Sequence, residues 1–191
     1  MKAVIITVMF ACAVTTATAG IVTNGDFETG TFAGWTKSGN PSLSDIISNT
    51  VTSNHTFLWR SGATGSLAYI SQTLDTVAGA TYELQFDVFN SATSNSIFEA
   101  DFDGITVYGF SNEVHDWTHH TIGNLIAGGT STELKFGARN DPSFIRLDNI
   151  TVTLLSEPGP GPTSTPEPGT LSLMLPLAGF MGLLAKHRLS R

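Results

Sequence analysis

Apolar and polar residues alternate through the middle of the chain, which is the pattern of β-strands that bury one face. Residues 81–88 place four apolar side chains on one face and four polar ones on the other. The apolar set is Tyr82, Leu84, Phe86 and Val88. The same alternation recurs in residues 98–102 and 133–136, whereas residues 20–156 show no helical period. The pattern therefore predicts an all-β domain.

Turn-forming residues separate further strand-like segments at short intervals. Asp103 and Gly104 lie between two alternating runs, and an Asp-Gly pair in that position is a signal for a two-residue hairpin. Other predicted strands cover residues 45–52, 56–61, 67–74, 116–126 and 144–155. Nine or ten short strands of this kind predict a two-sheet sandwich, and we favour a jelly roll. A β-solenoid is the alternative, but it needs a fixed short repeat, which the sequence lacks.

The last predicted strand changes its buried face part-way along. Its apolar residues occupy odd positions up to Leu147 and even positions from Ile150 onward, with Asp148 and Asn149 between them. A slip of one residue within a strand is what a β-bulge produces, and bulges redirect side chains. We therefore predict a bulge that aims Asp148 at a specific site.

Residues 1–19 have the three parts of a secretory signal peptide. Lys2 is followed by an apolar run, and small residues then precede a predicted cleavage site between Ala19 and Gly20. The alternative is a short buried N-terminal element. Cys12, the only cysteine, lies inside this segment, so the mature protein has no disulfide. Export without disulfides favours a bacterial envelope.

The C-terminal residues change in composition twice. Residues 157–165 are rich in Pro and Gly and predict a semi-rigid linker after a domain of residues 20–156. Residues 170–185 are uncharged and mostly apolar, and the basic residues 186–191 follow. As a transmembrane helix the apolar run is about 24 Å long, against a hydrocarbon core of roughly 30 Å. Such a short helix favours transient membrane insertion, and a plain single-pass anchor is the alternative.

Residues 166–191 resemble a PEP-CTERM sorting signal. The resemblance lies in Pro166, Glu167 and Pro168, in the apolar stretch after them and in the basic end. It implies that an exosortase recognises the Pro-Glu-Pro motif and processes the tail during export. It also implies a membrane-tethered precursor, a mature protein at the cell surface or in the extracellular matrix, and a bacterial host that makes extracellular polysaccharide.

Charge and motif content exclude several classes of function. The chain has a net charge of −7, and four of its nine basic residues lie in the two targeting ends. The acidic middle domain therefore repels phosphate backbones, and we expect no nucleic-acid partner. No nucleotide-binding or catalytic-serine motif is present, and no pair of carboxylates is placed across an evident cleft, so we predict that the protein is not an enzyme.

The histidine-rich segment 115–120 does not predict a metal site. His119 and His120 are adjacent on a predicted strand and must point to opposite faces, so they cannot bind one ion from a regular strand. No cysteine or further histidine motif supports a metal there. We expect a solvated strand.

The two ends of the predicted domain resemble those of carbohydrate-binding-module, galactose-binding-like jelly rolls. The resemblance lies in residues 24–30, which read NGDFETG, and in residues 146–152, which read RLDNITV. It implies one structural calcium, held by the carboxylates of Glu28 and Asp148 and the carbonyl of Asp26. The alternative is that these carboxylates cap backbone N–H groups in turns.

Carbohydrate binding in such jelly rolls uses aromatic rings as platforms, because one face of a sugar ring is apolar. The candidate platform residues are Trp59, Tyr69, Tyr108 and Phe110, whereas Trp35 and Trp117 are predicted core residues. We therefore expect an exported protein with a carbohydrate-binding-like domain that associates with extracellular polysaccharide. The alternative is a purely structural surface or matrix protein with no sugar site.

Overall fold

The predicted two-sheet sandwich is confirmed by a computed structural model, which describes residues 20–48, 56–141 and 143–159. Within these residues the chain forms ten strands and a 3-10 helix, Pro41–Leu43, all in the first of two units, residues 1–158. The strands are β1 (Thr36–Gly39), β2 (Ser44–Ser48), β3 (Phe57–Ser61), β4 (Ala68–Asp75), β5 (Thr81–Asn90), β6 (Ser96–Phe102), β7 (Ile105–Ser111), β8 (His115–Ile126), β9 (Ser131–Asn140) and β10 (Ile145–Ser156).

The ten strands form two antiparallel sheets of five strands each. Sheet I has the order β1-β4-β9-β6-β7, and sheet II has the order β2-β3-β10-β5-β8. Seven of the nine pairs of consecutive strands lie in different sheets, and the other two pairs, β2–β3 and β6–β7, are neighbours within one sheet. The two inner faces form the core, and the two outer faces are polar.

Strand β5 shows why the alternation of the sequence determines the fold. Its residues alternate strictly between half-buried and buried, and the buried ones are the apolar set predicted from the sequence together with Asn90. At the centre, the ring of Phe86 lies 5.7 Å from that of Phe98 and 5.5 Å from that of Phe136, between centroids. Each such buried ring contributes about 1.5–3 kcal/mol to the free energy of folding, so these contacts help to hold sheet II on sheet I.

The predicted hairpin between β6 and β7 is confirmed. Asp103 and Gly104 both adopt positive φ angles, 56° and 75°. A type I′ turn needs positive φ at both central residues, and its twist matches that of the two strands it joins. This turn sets the register of β7, the edge strand of sheet I.

The predicted bulge in β10 is also confirmed. Its register with β5 shifts between Asp148 and Thr151, and Asn149 adopts a φ of 55°. The N-terminal segment then pairs with the free side of β10, because Ile21 N–H donates to Val152 O and Ile150 N–H donates to Gly25 O. The bulge therefore leaves Asp148 only 2 % exposed, beside a segment that carries Asp26 and Glu28.

Several predicted features lie outside the described residues. These are the signal peptide, Ala19 of the cleavage site, the sorting motif Pro166-Glu167-Pro168 and the apolar run 170–185; Gly20 is the first described residue and is exposed. The predicted strand 45–52 ends at Ser48, and residues 49–55 are not described. No helix among the described residues is long and apolar enough to cross a membrane.

Candidate functional site

The outer face of sheet I contains a row of residues that crosses all five strands. Register places Ser38 beside Tyr69, Tyr69 beside Gly137, Gly137 beside Glu99, and Glu99 beside Gly109. Two positions of this row therefore carry no side chain. Glycine inside a strand is unfavourable unless another group must come close to the backbone. The row thus forms a shallow trough across the sheet, with Tyr69 and Glu99 as its large side chains.

The ring of Tyr69 occupies the space that glycines leave on both sides. A Cβ on Gly137 would lie 2.6 Å from Cε1 of Tyr69, and a Cβ on Gly39 would lie 2.8 Å from Cδ2 of Tyr69. Both distances are too short for any residue with a side chain, so the ring lies close to the backbone of β1 and β9. Tyr69 is half-buried there, which leaves part of the ring accessible as an apolar platform.

A row of polar side chains borders the trough on one side. Lys135 Nζ lies 2.9 Å from Asp101 Oδ2, and Thr106 Oγ1 donates to Asp101 Oδ1 over 2.7 Å. The same ammonium group lies 5.4 Å from the ring centroid of Tyr69. The hydrogen bond to Asp101 raises the pKa of Lys135, so this ammonium group stays charged at neutral pH. Donors and acceptors are therefore fixed beside the ring.

Arg139 borders the trough on the other side, with Ile97 as its neighbour on β6. Its Nη1 donates to the carbonyl of Gly65 over 2.8 Å. Its Nε is buried, and no hydrogen-bond acceptor for it exists among the described residues. A buried donor without an acceptor costs about 1–3 kcal/mol, so a bound polar group would stabilise this position.

Tyr69 remains a neutral phenol at physiological pH. Burial and the nearby carboxylate of Glu99 both raise the pKa of its hydroxyl above the ordinary value of 10.0. The hydroxyl can therefore donate a hydrogen bond while the ring contacts an apolar surface. We call Tyr69, Glu99, Lys135, Gly137 and Arg139 the Tyr69 face. Counted together with Asp101, which pairs with Lys135, its ionisable side chains sum to zero charge, and its one ring is surrounded by hydrogen-bonding groups.

Two of the four predicted platform residues are buried and cannot offer a ring to a ligand, which corrects the prediction. Trp59 has no exposed surface, and its Nε1 donates to Ser44 Oγ over 2.7 Å inside the core. Phe110 is 7 % exposed, and its ring stacks on that of Phe98 with centroids 5.4 Å apart. Aromatic type alone could not show which face of each strand these residues occupy.

Tyr108 closes the edge of the core between β7 and β8. It is half-buried, its ring centroid lies 4.3 Å from that of His120, and its hydroxyl lies 3.2 Å from His120 Nε2. The interpretation of Tyr108 as a platform for a ligand stays a prediction, and its ring already packs against that of His120. Among the four predicted platform residues, Tyr69 is the one whose ring lies on a sheet's outer face.

The histidine segment behaves as predicted in one respect and differs in another. His119 faces outward, where Nδ1 lies 2.7 Å from Asp87 Oδ1, and His120 faces inward against Phe86. Adjacent histidines on opposite faces are thus confirmed. The expectation that the whole strand is solvated is wrong, because His120 is half-buried and burial lowers its pKa below 6.5.

The three predicted calcium ligands lie near one another around the β10 bulge. Burial, followed by the charges of Glu28, Asp87 and Asp26, raises the pKa of Asp148 from 3.8 to about 7. A nearby divalent cation would offset exactly this repulsion between carboxylates, and oxygen donors are what Ca²⁺ requires. Glu28 Oε1 also accepts N–H groups of Thr56 and Phe57, as the capping alternative expects.

The donors that the structure offers to a calcium ion are few. Among the described residues there is no group of three or more His, Cys, Asp or Glu side chains arranged to hold a metal. The calcium site expected at Asp26, Glu28 and Asp148 therefore stays a prediction.

The polar residues of the Tyr69 face were not predicted as site residues. Glu99, Lys135 and Arg139 occupy the polar positions of ordinary alternating strands, which gives no sign of a ligand. Gly109 and Gly137 were the available signal, because each interrupts an alternating strand at an outward position. Only the pairing of β4, β6, β7 and β9 shows that the two glycines belong to one row.

Comparison with known proteins supports the fold. No protein-family model matches the chain, and no curated protein does either. Among solved structures, a CBM61 domain in complex with β-1,4-galactotriose has a TM-score of 0.57 at 13 % identity, covering 71 % of this chain and 98 % of that one. The CBM22-1 xylan-binding domain of Paenibacillus barcinonensis Xyn10C has a TM-score of 0.53 at 18 % identity, covering 75 % and 100 %. The chain has the jelly-roll fold of carbohydrate-binding modules.

A third similar structure is part of a larger protein. The enzymatically active domain of tailspike protein 4 from bacteriophage CBA120 has a TM-score of 0.56 at 18 % identity, and the match covers 72 % of this chain. The chain spans 22 % of the length of that protein. At these identities the likeness concerns the fold alone, so function must be argued from the residues of this chain.

Proposed function

We propose that this protein binds polysaccharide on the Tyr69 face and has no catalytic role. The observation that carries the proposal is the glycine-flanked ring of Tyr69, which lies low on an outer sheet face between fixed hydrogen-bonding groups. A sugar ring offers an apolar face to the aromatic ring and hydroxyls to Glu99, Lys135 and Arg139. The fold supports this proposal, since similar structures include modules described with bound galactotriose and as xylan-binding.

The charge of the Tyr69 face favours an uncharged glycan. Lys135 is paired with Asp101, and Arg139 and Glu99 carry opposite charges on neighbouring strands β9 and β6. The face therefore presents no net field that would select an ionic ligand. An extended neutral polysaccharide can follow the trough across the five strands of sheet I.

Replacing Tyr69 by alanine is expected to weaken binding to a neutral polysaccharide such as xylan or β-1,4-galactan by roughly thirty-fold, since a central aromatic anchor contributes on the order of 2 kcal/mol. Tyr69→Phe keeps the ring and should stay within about threefold of wild type. Affinity electrophoresis of the purified protein measures both effects, and thermal unfolding checks the fold.

Phe144→Ala removes a half-buried aromatic ring that lies outside the Tyr69 face, under the guanidinium of Arg60, and is the matched control, so it should leave binding to neutral polysaccharide unchanged. Equal binding by wild type and Tyr69→Ala would refute the Tyr69 face as the site. If the wild-type protein binds no neutral polysaccharide at all, the purely structural role in a surface or matrix assembly becomes the better account.

The proposal extends to one structural calcium at the β10 bulge. Glu28 and Asp148 would supply the carboxylates, and Asp26 would supply its carbonyl oxygen. A bound calcium would neutralise the buried charge of Asp148 and join the N-terminal segment to β10. The raised pKa of Asp148, about 7, supports this because it results from burial and then from the charges of Glu28, Asp87 and Asp26.

The proposal also includes export and sorting of the protein. The signal-peptide pattern of residues 1–19 and the PEP-CTERM-like residues 166–191 support secretion, a transient membrane tether and processing by an exosortase-type enzyme. A polysaccharide-binding domain released at the cell surface or into the matrix would meet extracellular polysaccharide there.

Mass spectrometry of the protein recovered from the culture medium or cell surface tests both processing steps. The expected mature chain begins at Gly20 and ends near Pro166–Pro168. Recovery of chains that still begin at Met1 would refute the signal peptide, and recovery of chains that still end at Arg191 would favour a permanent anchor.

A further inference from the structure

The outer face of sheet II carries a second row of residues that the Tyr69 face does not involve. Register places Asp45 beside Arg60, Arg60 beside Arg146, and Arg146 beside Phe89. The ring of Phe89 then lies 5.8 Å from that of Trp117 on β8, between centroids. We call these five residues the Arg146 face. Trp117 is half-buried on this outer face, so the prediction that it is a core residue is wrong.

Two arginines stand directly opposite each other in this row, although the protein is acidic. Like charges at directly paired positions of two strands repel each other and destabilise the sheet. Arg60 is neutralised, because its Nε and Nη2 donate to the two carboxylate oxygens of Asp45 over 2.7 and 2.9 Å. Its guanidinium also lies 4.4 Å above the ring of Phe144.

Arg146 has no such carboxylate partner within the described part of the chain. Its guanidinium lies 4.9 Å from the ring centroid of Phe89, which is the contact that holds it. Nearby carboxylates are engaged elsewhere: Asp87 binds His119 and Asn149, and Asp116 accepts the N–H of Trp117. A half-buried guanidinium held by a ring, beside a second arginine, is an arrangement that an incoming anion would stabilise.

The aromatic part of the row specifies what kind of anion fits. Phe89 and Trp117 form a half-buried apolar surface directly beside the guanidinium. A free inorganic anion has no apolar surface that could pack on the two rings. A sugar that carries a carboxylate uses both features, because its ring packs on the aromatic pair while its carboxylate accepts two parallel hydrogen bonds from arginine.

We infer that the Arg146 face is a second binding site, for polysaccharides that contain uronic acids, with Arg146 binding the carboxylate and Phe89 and Trp117 contacting the sugar ring. The site lies on the sheet opposite the Tyr69 face and does not depend on it. Two sites on the two outer faces of one sandwich would let a single molecule bridge two polysaccharide chains.

Binding of polygalacturonate to the purified protein tests the inference, with fully methyl-esterified polygalacturonate as the uncharged probe of the same backbone. Wild type should bind the acid form at least about tenfold more tightly than the ester, because esterification removes the carboxylate. Arg146→Gln should lose about tenfold in affinity for the acid form. Arg146→Lys should retain only part of the wild-type affinity, since an ammonium group cannot donate two parallel hydrogen bonds as the planar guanidinium does.

Lys37→Gln is the matched control, because Lys37 is an exposed cation on β1 of sheet I, where its Nζ lies 4.6 Å from the ring centroid of Phe32. It removes the same charge and should change the affinity less than about twofold. Tyr69→Ala should also leave polygalacturonate binding intact, which separates this site from the proposed neutral one.

Four results would overturn the inference. The first is no binding of polygalacturonate by wild type, and the second is binding by Arg146→Gln as tight as that of wild type. The third is a loss of affinity in Lys37→Gln as large as in Arg146→Gln, which would indicate non-specific charge attraction. The fourth is loss of binding to both polysaccharides in Tyr69→Ala, which would indicate one site only.

Discussion

In metal-free buffer, the stability of the wild-type protein should fall by about 4 kcal/mol relative to Asp148→Asn as the pH rises from 4 to 8. Asp148 is 2 % exposed, and burial with the neighbouring carboxylates of Glu28, Asp87 and Asp26 raises its pKa from 3.8 to about 7. In the unfolded chain this carboxyl loses its proton near pH 4, whereas in the folded protein it keeps the proton until about pH 7.

The sign of the effect follows from proton binding. Between pH 4 and 7 the folded state binds one more proton than the unfolded state, so raising the pH favours unfolding. The contribution of protonated Asp148 is complete below the unfolded pKa of 3.8 and is lost as the pH passes through about 7. Asparagine has no proton to lose, so the Asp148→Asn protein lacks this dependence.

Urea unfolding at several pH values between 4 and 8, with a chelator present, measures the difference. Asp75→Asn is the control, because Asp75 is exposed at the end of β4 and its curve should run parallel to wild type. Parallel curves for wild type and Asp148→Asn would contradict the prediction.

Adding calcium at pH 8 should raise the melting temperature of wild type but not of Asp148→Asn, and no rise in wild type would refute the calcium site.

Replacing Gly25 by alanine should destabilise the protein by about 3 kcal/mol, which is at the upper end for a steric change in a packed position. A Cβ at Gly25 would lie 2.0 Å from the carbonyl oxygen of Ile150. That oxygen belongs to the backbone of β10 and cannot move aside alone. The same contact includes the hydrogen bond from Ile150 N–H to Gly25 O, 2.9 Å long.

The destabilisation should affect the whole N-terminal segment, because this segment carries two aromatic residues of the core. Phe27 has no exposed surface, and Trp35 Nε1 donates to Asn24 O over 3.0 Å. Gly123→Ala is the matched control, since a Cβ there meets nothing within 4 Å. Urea midpoints compare the two variants, and a Gly25→Ala protein as stable as wild type would show that the segment does not pack against β10 in this way.

The sandwich could be predicted because its central strands bury one face only. In β5 and β6 the alternating apolar residues are all buried, and the polar residues Asn90, Ser96 and Asp101 are buried with them. Strand β1 was not predicted, because all four of its residues are exposed and it therefore has no buried face that an alternating pattern could indicate. The bulge at Asp148 was predictable because it moves the apolar residues from odd to even positions.

The site could be predicted only in part, because a strand's face is not always evident from its sequence. In β3, Leu58 and Trp59 are adjacent and both buried, so no alternation showed that Trp59 points into the core. Tyr69 alternates with buried Ala68 and Ile70, which places it outside. Arg146 and Phe89 became neighbours through the pairing of β10 with β5, across 57 positions of sequence, which no local pattern reports.

The position of a bound neutral oligosaccharide tests the central claim most directly. Amide ¹H–¹⁵N NMR spectra of the protein, titrated with xylohexaose and with β-1,4-galactotriose, report which residues sense the ligand. The account predicts shifts for at least one of them, concentrated at Tyr69, Glu99, Lys135, Gly137 and Arg139 on sheet I. Shifts confined to β5, β8 and β10 of sheet II, or none with either sugar, would contradict it.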